Sequence, residues 1–176
     1  AIFFNNNRGY LILKKLKKKH KICLAVLSDK YLNKKYVQKL KKLKVNFLIV
    51  KKVNQKKIIN KIKNLKIDLN IIAGFPYIFN DNLISSAKYN SINLHGGPLP
   101  SYRGGSPLNW QIINGENKIY ISIIKMSKKI DKGDLLAEGN FPLRPKDTIT
   151  SVKLKSDQLF LNLIDKAINN LIKGKI

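Results

Sequence analysis

Short apolar runs alternating with Lys-rich amphipathic segments constrain this chain more than any other feature. "AIFF" reads as a strand that runs into the turn "NNNRGY", and a helix follows through "LILKKLKKKH". "KICLAVL" is a second strand, and "VNFLIV" a third, of the continuous apolar kind found in parallel sheets buried on both faces. Between them, "DKYLNKKYVQKLKKL" places Leu32, Tyr36, Val37, Leu40 and Leu43 at helical spacing, with Lys on the opposite face. "QKKIINKIKNLK" repeats the pattern through Ile58, Ile59, Ile62 and Leu65. "DLNIIAG" and, after a short helical connection, "SINLH" are a fourth and a fifth strand. Strands that alternate with such helices build βαβ units, so the expected fold is α/β: a Rossmann-like, twisted, mostly parallel sheet with helices on both faces.

Downstream, Ser106 and Pro107 make an N-cap and first-turn pair for a helix through Asn114, with Gly115 as its stop. "NKIYISIIKM" alternates as a strand does. From Thr148 to Lys173 a long helix carries the stripe Leu159, Phe160, Leu163, Ile164, Ala167, Ile168 and Leu171. The 176 residues suit one domain, residues 1–176. The chain opens at Ala1 inside a strand without an initiator Met, which is compatible with truncation at one or both ends.

Composition narrows the partners. No apolar run reaches the length of a membrane span and no signal peptide is recognisable, so membrane insertion is not expected. Cys23, the only cysteine, lies in "ICLAVL" and is expected to be a small buried hydrophobe. Together these favour a cytoplasmic setting. The net charge of +25 has two readings: a surface for nucleic acid, or the lysine and asparagine excess that A/T-rich coding produces. Arg8, Arg103 and Arg144 are the only arginines and the lysines are scattered over every helix, so the compositional reading leads and nucleic acid is not the expected partner. An anionic small substrate would be attracted under either.

"SINLHGGPLPSYRGGSPLNW" holds the chemistry. In a strand, side chains two residues apart share a face, so Asn93 and His95 stand side by side at a strand's carboxyl end, where open α/β sheets bind ligands. "SKKIDKGDLL" adds Asp131, in a chain with few acids. Asn can donate to a developing oxyanion, His can carry a proton, and Asp can orient the imidazole. No activated side-chain nucleophile accompanies them, which points to direct acyl transfer between two bound molecules. Two distant histidines and one cysteine supply no metal ligand set, so no metal is expected. In "NNNRGY", Asn7, Arg8 and Gly9 open a helix whose backbone amides can receive a substrate anion; an ordinary polar turn is the other reading.

"NLHGGPLPSYRGGSPLNWQIINGE" followed by "IIKMSKKIDKGDLLAEGNFPL" resembles the catalytic domain of the folate-dependent formyltransferases. That family acts on methionyl-tRNA, glycinamide ribonucleotide and nucleotide-linked amino sugars. Its Asn-x-His pair falls on Asn93 and His95, its "LP-x-Y-x-G" loop on Leu99 to Gly104, and its acid on Asp131. The resemblance implies the formyltransferase fold, 10-formyltetrahydrofolate as formyl donor and a primary amine as acceptor. It implies that Asn93 and His95 hold the oxyanion while His95 and Asp131 move the proton. The folate is expected against Gly74, Phe75, Pro76, Tyr77 and Ile78 of "AGFPYIF" and against Ser127 and Ile130, with the aromatics as core residues in the alternative. Tyr102, Arg103 and Gly104 are expected against the substrate, with Asn7, Arg8 and Gly9. Gly97 stands where many members have Ser, and "NNNRGY" is not their Gly-rich turn. "PLNW" and "HGG" resemble the amino-sugar enzymes more than the tRNA enzyme, so a nucleotide-linked amino sugar is the expected acceptor. The alternatives are methionyl-tRNA and a non-catalytic folate-binding paralogue, and a homodimer is compatible with all three.

Overall fold

The computed structural model describes residues 1–174. Seven strands form one sheet in the order β3-β2-β1-β4-β5-β6-β7. Two compact units divide the chain, Ala1–Ile92 and the residues from Asn93 onward.

The first unit alternates as expected: β1 (Ile2–Phe3), α1 (Asn7–Leu16), β2 (Ala25–Ser28), α2 (Lys34–Lys42), β3 (Phe47–Val50), α3 (Lys56–Asn64), β4 (Asn70–Ile72) and the short α4 (Asp81–Ile84). β1 pairs in parallel with both β2 and β4, and β2 pairs in parallel with β3. Phe3, Phe4, Leu24, Val26, Leu27, Ile12, Leu40, Ile58 and Ile62 are buried, so the apolar stripe of each helix is covered. Side chains with few polar needs fill a close-packed interior, while the lysines of the opposite faces stay in water.

Five local expectations need correction. α1 starts inside "NNNRGY", because Asn6 accepts the Gly9 N–H and caps the helix there. It stops at Leu16, where consecutive lysines repel and no apolar residue follows at helical spacing. β3 is not buried on both faces: it is the sheet's edge, and Ile49 is 45% exposed. Cys23 is half-buried and precedes β2. Leu65, just past α3, is exposed, and Leu32 precedes the α2 cap Asn33.

β5 (Ser91–His95) carries the chain into the second unit, followed by α5 (Pro107–Ile113), β6 (Lys118–Lys125), β7 (Leu135–Pro142) and α6 (Ile149–Ile172). β6 and β7 are antiparallel, with a bulge at Ile123 and Ile124. Strand β7 was not foreseen, since "LLAEGNFP" carries Glu, Gly and Asn that read as loop. Its Gly139 lies beneath α6, where a Cβ would meet Leu159 and Leu163 at 3.0–3.1 Å. α6 has the predicted extent and a capping box between Thr148 and Ser151. Ser106 precedes α5 as predicted but has left-handed backbone (φ +57°) and makes no side-chain cap.

Candidate active site

Asn93 and His95 leave β5 on one face, and both reach Asp131. Asn93 Nδ2 donates to Asp131 Oδ1 at 3.3 Å, and His95 Nδ1 lies 3.5 Å from Asp131 Oδ2. His95 is 5% exposed. Its Nε2 is 2.5 Å from the Tyr102 carbonyl oxygen. A carbonyl only accepts, so Nε2 carries a proton and the neutral ring keeps its lone pair on Nδ1, facing a carboxylate. The geometry therefore sets an imidazole nitrogen and a carboxylate beside an amide donor.

The loops around this cluster are fastened in place. Asp131 has left-handed backbone (φ +49°), a conformation Asp tolerates better than most residues. Gly104 N–H donates to Asp131 Oδ2 at 2.9 Å, and Arg103 Nε donates to its carbonyl at 3.0 Å. Two residues on, a Cβ at Gly133 would overlap the Lys125 carbonyl oxygen, so only glycine lets the loop lie against the end of β6. The Gly96 carbonyl accepts from Gln111 Nε2 and the Gly97 carbonyl from Ser122 Oγ, each at 2.8 Å. Gly97 does more than omit a hydroxyl: a Cβ there would sit 2.7 Å from Tyr102 Cβ and 2.9 Å from Pro107 Cβ, so a side chain would displace the loop.

Tyr102 spans two sites. Its phenol donates to Glu116 Oε1 at 2.5 Å and accepts from Asn114 Nδ2 at 3.0 Å. The bond to Glu116 holds the phenol's pKa above its ordinary value, against the opposing bond from Asn114. Tyr102, Arg103, Trp110, Asn114, Glu116 and Tyr120 line a cleft of about 540 Å³. Glu116, Asn114 and Gln111 were not singled out from the sequence. Glu116 is one of ten acids and follows the α5 stop, which was the available signal.

Asn93, His95, Asp131, Tyr102, Arg103 and Gly104 are thus brought together in the second unit. Ser127 and Ile130 precede Asp131 on its loop; Ser127 Oγ donates to the Lys129 carbonyl at 3.1 Å, and Ile130 is 56% exposed.

The remaining predicted residues belong to the first unit. Gly74 has φ +72°, and a Cβ there would overlap the Asn6 amide. Phe75 stacks edge-on against Phe3 and Tyr77, Pro76 is half-buried, and Tyr77 donates to the Lys51 carbonyl at 2.7 Å. Ile78 is 70% exposed, whereas Phe79 is core. Asn7 and Arg8 lie in the first turn of α1. Gly9 is packed against Phe4, and its N–H donates to Asn6 Oδ1 at 3.3 Å. Among the described residues no group of His, Cys, Asp and Glu could hold a metal ion.

Residues 10–167 match the family described as formyl transferase. The chain belongs to the formyl transferase family. This formyl transferase chain is 38% identical over 109 residues to the bifunctional polymyxin resistance protein ArnA of Wigglesworthia glossinidia brevipalpis, covering 61% of the chain and 17% of ArnA. It is 38% identical over 109 residues to the methionyl-tRNA formyltransferase of Lactiplantibacillus plantarum, covering 62% of the chain and 34% of that protein. The chain therefore spans about a third or less of the length of these curated relatives. In fold it resembles the phosphoribosylglycinamide formyltransferase of Bacillus halodurans, with TM-score 0.84 at 16% identity, over 100% of this chain and 96% of the other.

Proposed function

We propose that this chain transfers a formyl group from 10-formyltetrahydrofolate to the primary amine of a nucleotide-linked amino sugar. The contact of both Asn93 and His95 with Asp131 carries the reading. The amine nitrogen bonds to the formyl carbon, the bond from that carbon to the folate nitrogen breaks, and one proton passes from the amine to the folate. Asn93 donates to the formyl oxygen as it gains charge. His95 Nδ1 with Asp131 receives the amine's proton and returns it to the departing nitrogen. Exposed Ile130 and the peptide groups beside it suit one edge of the folate's flat ring, and Tyr102, Arg103 and Gly104 position the acceptor.

A second reading, a methionyl-tRNA acceptor, is favoured by the tRNA enzymes among the relatives. It is also favoured by charge: 22 of the 35 Lys and Arg residues, against three of ten acids, fall in residues 1–92. Tetrahydrofolate release separates the two readings, measured with uridine- and thymidine-linked amino sugars and with charged initiator tRNA, using His95→Ala as control. Release with an amino sugar, absent in the variant, supports the first reading; release with tRNA alone replaces it. Folate binding without release for any acceptor would instead mark a non-catalytic paralogue. Sedimentation of the same protein tests for a homodimer.

A further inference from the structure

The cleft beside α5 shares Tyr102 and Arg103 with the acceptor side of the proposed reaction, while its other walls have no role in the transfer step. α5 turns Leu108 and Gln111 inward and leaves Trp110 and Ile113 outward, 53% and 68% exposed. Trp110 is the only tryptophan in the chain, and it forms a wall of the cleft together with Tyr102 and Tyr120. Among these rings stand hydrogen-bonding groups of opposite sense. Glu116 only accepts, Arg103 only donates, and Asn114 can do both. A cleft of about 540 Å³ is within the usual size of small-molecule sites. Aromatic faces with mixed donors and acceptors fit a flat heteroaromatic ring that has π faces and a polar edge. A bare phosphate fits poorly, because the Glu116 carboxylate would repel it.

The cleft also adjoins the catalytic cluster. Tyr102, one of its walls, presents its carbonyl to His95 Nε2, and Arg103 donates to the Asp131 carbonyl. An acceptor with its amine at Asn93 and His95 can therefore place its other end here.

We propose that this cleft binds the base of the acceptor's nucleotide, an inference that rests on the amino-sugar reading above. Trp110 stacks on the base, Asn114 and Glu116 read its edge, and Arg103 faces the phosphates that follow.

Because Trp110 is the sole tryptophan, its fluorescence reports on this cleft. The protein, without folate, is titrated with UDP, TDP, ADP and GDP, with inorganic pyrophosphate as the charge control. Saturable quenching by at least one nucleoside diphosphate and none by pyrophosphate is expected, with binding weakened at least about tenfold in Asn114→Ala. Equilibrium dialysis of the exposed-site variant Trp110→Ala should show the same nucleotide lost. Quenching by none of the four, equal quenching by pyrophosphate, or unchanged affinity in both variants overturns the proposal. The titration needs no turnover, so its failure leaves formyl transfer standing. Nucleotide binding without tetrahydrofolate release would do the reverse, keeping the cleft and removing the reaction.

Discussion

The Tyr102 carbonyl oxygen lies 2.5 Å from His95 Nε2, while the phenol of the same residue donates to Glu116 at 2.5 Å. One residue thus fixes the protonated nitrogen of the imidazole and is itself fixed by the turn after α5. Tyr102→Phe keeps the carbonyl and loses the anchor. A hydrogen bond to a charged acceptor contributes about 1.5–3 kcal/mol, and part of that is expected to appear as lost orientation of His95. We expect kcat to fall about tenfold, with the folate KM within about twofold of the parent. Steady-state kinetics would contradict this if KM rose while kcat held, since that pattern marks lost binding. Glu116→Gln, which can still accept from the phenol, should fall between the two.

On the proposed reaction, the three residues of the cluster are expected to act as a unit. Asn93→Ala removes the amide donor and is expected to lower kcat by about 10²–10³. His95→Ala and Asp131→Asn should each be severe, and the double variant little worse than the worse single one, because the proton receptor needs both partners. Additive losses in a double-mutant cycle on tetrahydrofolate release would show that the two residues work separately.

Two glycines in the site loops should behave differently on substitution. At Gly133 a Cβ would overlap the Lys125 carbonyl oxygen, so Gly133→Ala must shift the loop that carries Asp131. At Gly104 (φ +92°) a Cβ meets nothing within 4 Å, leaving only backbone strain of about 1–3 kcal/mol. Gly133→Ala is therefore expected to lose both stability and kcat, and Gly104→Ala mainly stability. Urea midpoints at unchanged m-value, read beside kcat, distinguish the two. A Gly133→Ala variant that kept the parent kcat would mean that the Asp131 loop tolerates displacement.

The elements most legible in the sequence were those with a clear period. α2, α3 and α6 follow their apolar stripes, and the pair Asn93 and His95 follows from strand alternation with a Gly/Pro break after it. Strand β3 was misread because its run is as apolar as a central strand, and only the sheet order shows that it lies at the edge. Strand β7 escaped because its polar residues sit on an exposed face, where pairing with β6 outweighs local preference. Glu116 offered only a weak signal and Asn114 none, since their meeting with Tyr102 depends on how the 98–104 loop folds back toward the end of α5. The bond from the Gly9 amide to Asn6 was hidden for a similar reason: the cap moves the helix start into the turn.

Charge at the start of α6 predicts an acid-dependent stability. Lys155 Nζ donates to both oxygens of Asp147, at 2.6 and 2.7 Å, and the Arg144 N–H and the Ser151 hydroxyl add to this. The Lys155 bonds come first among the causes that lower the Asp147 pKa from 3.8 to about 2. A carboxyl whose folded pKa is depressed stabilises the fold above its unfolded pKa, and that contribution is lost as pH falls through the folded value. Asp147→Asn should therefore lower Tm by a few degrees at neutral pH, and the gap from the parent should close between about pH 4 and pH 2. Thermal unfolding followed by circular dichroism across that range tests it. A Tm difference that persisted undiminished at pH 2 would assign the loss to packing at the helix start rather than to the ionised carboxylate.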